Sequence, residues 1–188
     1  MKKTALSLFI LFLIPAVSQA DMQTVSLGWA HSEITSLDSL NGVNLKYRYE
    51  TASPLSLIAS FTWLSGDGKF VSYADLDRLE NKAEVKSYSL MAGPAWRVNE
   101  YISFYGLLGL NYVKADARSH WFNWQGEYAD EGYLTENYKK TAIAYGAGIQ
   151  LNPLENLAVD IGYEGSTFEI AGKDYHLNGF NIAVGYRF

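Results

Sequence analysis

Apolar and polar side chains alternate along eight segments of this chain, and that alternation constrains the fold more than any other feature of the sequence. In the last segment, 180–188, the even-numbered residues are aromatic or aliphatic and the odd-numbered ones are small, polar or charged. Successive side chains of a β-strand point to opposite faces of the sheet, so a period of two predicts a strand. After the first twenty residues, no apolar run is long enough for a transmembrane helix.

The eight segments predict an all-β fold. They cover residues 25–30, 43–50, 56–63, 88–97, 102–112, 143–151, 157–164 and 180–188. Their apolar faces would meet a second sheet in a soluble sandwich, or face lipid in a membrane barrel. Pro94 lies on the apolar face of the fourth segment. Because proline cannot donate to a ladder, it predicts a bulge or a local break there.

The polar and aromatic residues favour the membrane barrel. The polar faces carry charges of both signs among Gly, Ala and Ser, which suits a narrow interior where the charges pair with one another. These predicted interior structural charges are Lys46, Arg48, Glu50, Arg97, Asp160, Glu164 and Arg187. Aromatic residues collect near the segment ends, as interfacial girdles require. We therefore predict an eight-stranded antiparallel transmembrane β-barrel, filled by its own side chains and without a useful pore.

The connections between the segments alternate between short and long. Short turns are predicted at 51–54, 99–100 and 152–156, and long polar stretches at 32–40, 66–82, 116–140 and 166–175. Outer-membrane barrels have short periplasmic turns and longer extracellular loops. The long stretches are therefore predicted to be four extracellular loops, and the even number of strands predicts that both chain ends lie in the periplasm.

The first twenty residues have the pattern of a cleaved secretory signal. Lys2 and Lys3 precede an apolar stretch from Ala5 to Val17, and small residues follow at Ser18 and Ala20. Such a stretch is too short to act as a spanning helix. We expect residues 1–20 to be a signal peptide and residues 21–188 to form the barrel.

Charge and cysteine content exclude several function classes. The chain has 20 acidic against 15 basic residues and no cysteine. An acidic chain without a basic stripe is unsuited to nucleic acid. The lack of cysteine excludes disulfides and thiolate metal sites. No loop has the spacing of a calcium site, so neither a metal nor a cofactor is predicted.

Five segments carry a resemblance to a known family. They are Gly42–Glu50, Met91–Arg97, Tyr145–Asn156, Asp160–Ser166 and Asn178–Phe188. Together they resemble the Ail/Lom family of outer-membrane proteins, which includes OmpX, Rck and PagC, and the last three are most similar to PagC. The resemblance covers all eight strands and the short turns, but not the long loops. It supports Pro94 within a strand, because Gly-Pro-Ala belongs to the family pattern at that place. The terminal Tyr186-Arg187-Phe188 also resembles the ending that barrel-assembly machinery recognises.

The resemblance implies a protein of the bacterial outer membrane that is linked to virulence. Family members act in attachment to host cells or matrix, invasion, resistance to complement and survival in macrophages. These functions reside in the outer loops, where this sequence departs from its relatives. The expected partners are therefore the outer membrane with its lipopolysaccharide and host matrix, cell-surface or complement proteins. The protein is expected to be a monomer.

Aromatic residues in the predicted loops are the candidate partner-binding residues. They are Phe70, Tyr73, Trp121, Phe122, Trp124 and Tyr128. Exposed aromatics are common at protein interfaces, although these could equally pack the loops together or rest on lipopolysaccharide. The same loops are acidic, with five acids to three bases in 66–84 and five to two in 116–139. An acidic surface disfavours a heparin-like polyanion as the main ligand.

Three functions remain open from the sequence. The leading hypothesis is a non-enzymatic surface protein that acts through its outer loops. The first alternative is a structural or stress-response barrel that modulates outer-membrane integrity, and the second is a lipid-modifying barrel enzyme. The three histidines, His31, His120 and His176, map to loops or the outer rim. Since they form no catalytic motif, no catalytic residue is predicted.

Overall fold

Eight antiparallel strands form a closed barrel in the computed structural model, which describes residues 22–34, 39–74, 77–124, 128–170 and 172–188. The strands are β1 Met22–Ile34, β2 Leu40–Glu50, β3 Leu55–Ala74, β4 Asp77–Arg97, β5 Ile102–Trp124, β6 Tyr128–Leu154, β7 Leu157–Ile170 and β8 Lys173–Arg187. In these residues no helix is long and apolar enough to cross a membrane. The predicted signal peptide lies outside the described residues and stays a prediction.

The alternation of apolar and polar residues corresponds to the outer and inner faces of the barrel wall. In β8, Phe180, Ile182 and Val184 are exposed on the outer surface, whereas Asn181 and Ala183 between them are buried. The ring closes where β1 pairs with β8, from Thr24 opposite Arg187 to Ile34 opposite Leu177. The predicted all-β barrel with apolar residues outward is therefore confirmed.

Pro94 interrupts one ladder without shifting it. β4 pairs with β5 at Ala92 opposite Leu108 and again at Ala95 opposite Tyr105, so the register is the same on both sides of the gap. On its other side Pro94 pairs normally with Leu57 of β3. Of the two sequence-based interpretations, the local break is correct and the bulge is wrong, because proline lacks only the N–H that would have bonded to β5.

The long connections are largely not loops. β3 and β4 stay paired up to Ala74 opposite Asp77, and β5 and β6 up to Trp124 opposite Tyr128. The predicted loops 66–82 and 116–140 are therefore wrong as loops, since most of their residues form strands. They lack an apolar face because both faces of an antiparallel sheet can be solvated once it leaves the lipid. The stretch 32–40 includes residues 35–38, which lie outside the described part.

Beyond the barrel, four strands continue as an open sheet. β7 pairs with β6 only as far as Ala144 opposite Ser166, and β2 pairs with β3 only as far as Asn41 opposite Ser65. At the first of these points the Ser166 hydroxyl donates to the Ile143 carbonyl at 3.0 Å. We call residues 66–74, 77–86, 114–124 and 128–143 the protruding sheet.

An apolar cluster fills the outer mouth of the barrel, which the sequence did not predict. Its buried members point inward from the upper ends of the strands and are Ala30, Ile34, Leu40, Leu64, Val85, Val113, Phe168 and Leu177. Most lie just beyond the ends of the predicted strands, where the alternation was not used to predict which face of the wall a side chain occupies. The cluster separates the polar interior from the protruding sheet.

Two glycines make room inside the barrel for the large side chain of Tyr105. A Cβ atom at Gly148 would lie 2.3 Å from the Tyr105 hydroxyl oxygen, and one at Gly162 would lie 2.6 Å from it. Tyr105 itself is buried and donates to Asp160 at 2.8 Å. The small residues of β6 and β7 thus mark the place of a bulky neighbour from β5.

Gly148→Ala is expected to destabilise the barrel by about 1–3 kcal/mol, because the new methyl group displaces Tyr105 from a packed interior. The measurement is the urea midpoint of the heat-modifiable folded band on gels. Gly106→Ala is the matched control, since a Cβ there would meet no atom within 4 Å. Equal midpoints for the two variants would contradict the packing role of Gly148.

Candidate functional site

The interior charges form ion-paired groups on the inner wall. Lys46 Nζ lies 2.6 Å from Asp160 Oδ1, and Lys46 also donates to Asn181. Asp160 in turn accepts from Tyr105. Lys46, Asp160 and Asn181 are all almost fully buried. A buried charge needs both an opposite charge and further hydrogen bonds, and this group provides both.

Three guanidinium groups surround the Glu50 carboxylate, near the end of the barrel that carries the short turns. Arg187 donates to both carboxylate oxygens, at 3.1 and 3.2 Å. Arg97 donates at 3.4 Å, and Arg48 Nη2 lies 3.5 Å away. Arg48 is also held by Ser56 and Gln150. Glu50 is therefore the centre of a structural cluster that joins β2, β4 and β8.

Glu164 is held differently from the other interior charges. Within the described residues it has no ion pair, and its carboxylate accepts hydrogen bonds from neutral groups only. The donors are Asn44, Ser60, Thr62, Ser89 and Asn181, at 2.8 to 3.3 Å. All seven predicted charges thus lie on the inner wall, six in two ion-paired groups and one in a neutral cradle.

The outward face of the protruding sheet carries charges in rows across the strands. The lysine row is Lys86, Lys114 and Lys139; the acid row is Asp67, Glu84 and Asp116; the cation row is Lys69, Lys82 and Arg118. The members of each row lie directly opposite one another or one strand further on. The lysine row directly follows the aromatic residues Trp63, Tyr88 and Tyr112 on the same face.

The lysine row and the acid row neutralise each other in part. Lys86 Nζ lies 2.6 Å from Glu84, and Lys114 Nζ lies 2.8 Å from Asp116. The hydrogen bond and charge of Lys86 lower the pKa of Glu84, and Glu84 in the same way raises the pKa of Lys86. Both groups therefore remain charged over a wider pH range than usual.

The cation row is not neutralised in this way. Lys69 lies opposite Lys82, and Lys82 lies opposite Arg118. None of the three has an ion pair with any residue that the structure describes. Like charges directly opposite each other destabilise a sheet. The row lines a concavity of about 530 Å³ together with Glu80, His120 and Tyr133, and an anion bound there would relieve the repulsion.

An aromatic stack surrounds His120 near the tip. The His120 ring is stacked on Tyr133 and tilted against Phe122, with both ring centroids 4.1 Å away. Its Nε2 lies 2.8 Å from Asp130. The β5–β6 register shifts between Trp121 and Phe122, because β6 has one extra residue between Asp130 and Gly132. Gly132, beside this bulge, adopts a φ of 102°, which favours glycine.

The predicted partner-binding residues lie in strands rather than in loops. Trp121 is half exposed and donates to Asp77, and Phe122 is half-buried between His120 and Arg78. For the others only the backbone is described, in strands β3, β5 and β6; they are Phe70, Tyr73, Trp124 and Tyr128. The structure adds His120 and Tyr133, which the sequence did not select. Register alone brings them beside Phe122, and a single sequence does not show register.

The three histidines do not come together. His31 bonds to Asn41 and His176 bonds to Thr167. His31 pairs with Phe180, four residues from His176, which corresponds to roughly 13 Å along β8. In the described ranges, no group of three or more His, Asp or Glu side chains could hold a metal ion.

Comparison with known proteins gives consistent matches over nearly the whole chain. The family model described as enterobacterial Ail/Lom protein matches residues 3–188. The virulence membrane protein PagC of Salmonella typhimurium is 40% identical and aligns over 100% of both chains. Outer membrane protein X of Enterobacter cloacae is 36% identical over 95% of this chain and 93% of its own.

A solved structure agrees with the sequence matches. Ail, the attachment invasion locus protein of Yersinia pestis, in complex with the heparin analogue sucrose octasulfate, superposes with a TM-score of 0.67 at 32% identity. The match covers 90% of this chain and 99% of Ail. These relatives locate the chain in the bacterial outer membrane and associate it with virulence.

The hydrogen-bonded contact of Asp130 with His120 and Gly132 near the tip is expected to break in acid. Hydrogen bonds from His120 and from the Gly132 N–H lower the pKa of Asp130 below its usual 3.8. A lowered pKa means that the contact stabilises the fold above the usual aspartate pKa and is lost as pH falls through the lowered value. The Gly132 amide resonance, followed by NMR against pH, should therefore shift with a midpoint below 3.8.

His120→Ala removes the larger of the two causes that lower the pKa of Asp130, so it should move that midpoint upward. Asp130→Asn, which cannot titrate, should abolish the transition. A midpoint that is unaffected by His120→Ala would contradict the contact.

Proposed function

This chain belongs to the enterobacterial Ail/Lom family, and from that membership we propose that its protruding sheet attaches the bacterium to host surfaces. The attachment is non-enzymatic, and the partners are host matrix, cell-surface or complement proteins. The observation that carries the proposal is an aromatic stack on the tip of a sheet that is hydrogen-bonded along its whole length.

The protruding sheet is suited to reaching a partner. From Tyr112 at the girdle to Trp124, β5 runs about 40 Å along the strand. Pairing with β4 and β6 supports this length, so little conformational entropy is lost when a partner binds. Aromatic residues on such a support are typical of residues that dominate binding energy.

The cation row supports a second part of the partner chemistry, namely sulfated glycans on the host surface. Ail of Yersinia pestis was solved in complex with a heparin analogue. The excess of acids in the two predicted loops argues against such a ligand. However, the acids and bases of this sheet are sorted into rows, and Lys69, Lys82 and Arg118 form a basic row of their own. A sulfated chain lying across the strands would meet this row rather than the average charge.

The attachment proposal predicts two separate binding defects. Trp121→Ser with Phe122→Ser should lower binding to host cells at least tenfold, since binding-energy hot spots are worth about 2 kcal/mol or more. Lys82→Gln with Arg118→Gln should selectively lower binding to immobilised heparin. The measurement is binding of bacteria, and of folded protein in nanodiscs, to host cells, a panel of matrix and complement proteins, and heparin.

Leu134→Ser is the matched control, because Leu134 is at least as exposed as Trp121 and lies outside both the aromatic stack and the concavity of the cation row. Wild-type binding by the tip variant, at equal surface amount, would refute attachment through the tip. Unchanged heparin binding by the other variant would refute the glycan part alone.

A second candidate function is supported by the lysine row. Lys86, Lys114 and Lys139 directly follow the aromatic girdle on the outward face, and lysines beside an interfacial girdle are suited to bind anionic lipid phosphates. A barrel that binds these phosphates would stabilise the outer membrane without any host partner. The triple change Lys86→Gln, Lys114→Gln and Lys139→Gln should then raise detergent sensitivity about as much as deletion of the gene. Normal detergent resistance in the deletion strain would exclude this function.

A further inference from the structure

The cluster around Glu50 has more positive than negative charge. Its guanidinium groups belong to Arg48, Arg97 and Arg187, and each has a nitrogen within 3.5 Å of the carboxylate. Among the residues that the structure describes, none of the three pairs with a second carboxylate. Three positive charges against one negative leave an excess of two. Because an uncompensated charge is costly to bury, this excess favours an anion from outside the chain.

Buried hydrogen-bond donors without a partner lie beside these guanidinium groups. Thr24 Oγ1, Arg48 Nη2 and Ser103 Oγ are buried and have no hydrogen-bond partner among the described residues. The register places Thr24 between Arg48 and Arg187, and Ser103 beside Arg97. Each of the three groups can donate a hydrogen bond, and a buried donor that stays unbonded lowers stability. This end of the barrel therefore has donors and positive charge that its own acceptors do not satisfy.

A cavity of about 1180 Å³ at the same end of the barrel reaches two of the guanidinium groups. Arg97 and Arg187 line it, with side chains that are 26% and 9% exposed. The described hydrogen bonds of Arg97 use two of its five N–H groups, one to Glu50 and one to the Ser53 carbonyl. The other N–H groups remain for a molecule in the cavity. The end with the short turns faces the periplasm in outer-membrane barrels, so such a molecule would enter from that side.

Two acidic residues also line the cavity, but they do not neutralise its arginines. Glu100 and Glu155 are exposed on the short turns. Neither has an ion pair with a residue that the structure describes. Because solvent screens exposed charges, the more deeply buried arginines have the larger effect on an ion that enters.

The lining of the cavity indicates the class of anion. Guanidinium groups bind phosphate through parallel hydrogen bonds, and a phosphate group has enough oxygens to accept from two arginines at once. Val98, Tyr101 and Leu154 also line the cavity and are more than half exposed. Apolar residues beside a cationic surface are suited to a lipid whose headgroup carries a phosphate.

We propose that Arg97 and Arg187 bind a phosphate group in this cavity, at the periplasmic mouth of the barrel. The phosphate accepts hydrogen bonds from both side chains and balances the excess positive charge around Glu50. A membrane phospholipid and a soluble phosphate compound share this chemistry, and the apolar part of the lining favours the phospholipid. The site lies at the opposite end of the barrel from the protruding sheet, so it is separate from attachment to host surfaces.

Titration with inorganic phosphate tests the site on the folded protein in octyl glucoside, a detergent without phosphate. The arginine Nε–H resonances and the Thr24 amide resonance are followed by NMR, and the Arg97 resonance is assigned by its loss in Arg97→Gln. Sodium phosphate should shift the resonances of Arg97, Arg187 and Thr24 to saturation. Sodium chloride at the same ionic strength is the control for screening and should give no saturating shift.

Substitutions at the mouth test which side chains hold the phosphate. Arg97→Gln should weaken phosphate binding, read at the Thr24 amide, by about fivefold or more, because it removes charge-assisted hydrogen bonds. Arg97→Lys keeps the charge but loses the planar guanidinium, so its affinity should be intermediate. Glu100→Gln is the matched control, because it changes a charge in the same cavity and should leave binding unchanged or tighter.

Native mass spectrometry of protein extracted from membranes in a mild detergent identifies the source of the phosphate. A phospholipid that stays on the wild-type protein and is lost from Arg97→Gln assigns the site to a lipid headgroup. Saturable phosphate binding without a retained lipid assigns it to a soluble phosphate compound.

The proposal is overturned if neither phosphate nor a retained lipid is found at the site, or if chloride gives the same shifts as phosphate. Wild-type affinity in Arg97→Gln would also overturn it. A heat-modifiable folded band in every variant shows that the barrel is intact. Host-cell binding should stay at the wild-type level in Arg97→Gln, so a failure of this proposal leaves the attachment function unaffected.

Discussion

Each backbone N–H and C=O within a bilayer needs a partner from the protein, because lipid offers none. The barrel meets this requirement by closing β1 on β8. Once the strands reach water the requirement lapses, and the wall opens on either side of β3–β6. At the opening beside β7, the Ser166 hydroxyl takes over the bond to the Ile143 carbonyl that a strand would have made. The protruding sheet is thus the part of the barrel wall that no longer has to close.

The alternation of side chains was sufficient to predict the barrel but not its outer part. Within the lipid, apolar and polar residues must alternate, so the sequence carries the pattern. Outside it, both faces of the sheet meet water, and strands such as those in 116–140 resemble loops in composition. The apolar cluster around Val113 and Phe168 was missed for a related reason, since an apolar residue just past a predicted strand end has no assigned side.

The candidate site shows the same limit. Parity indicates that Lys46 and Asp160 point inward, but they are 114 residues apart in sequence, and only the closed ring brings them to 2.6 Å. The rows on the protruding sheet depend equally on register. A count of acids and bases over a stretch of sequence averages Lys82 with Glu84, although the two belong to rows of opposite charge. Interfaces built across strands are therefore poorly represented in local composition.

The connectivity of the barrel also has a consequence for its biogenesis. Seven of the eight strand pairings join neighbours in the chain, and the eighth joins the first strand to the last. The hairpins can therefore pair in order from either end, but the sheet remains open until β8 pairs with β1. Until then the edge of β1 is unpaired, and Gly28, where a Cβ would lie 2.0 Å from the Ile182 carbonyl oxygen, keeps a space for the last strand. Closure is thus an all-or-none event that waits for the C-terminus, and a chain cut short before β8 would keep an unsealed seam.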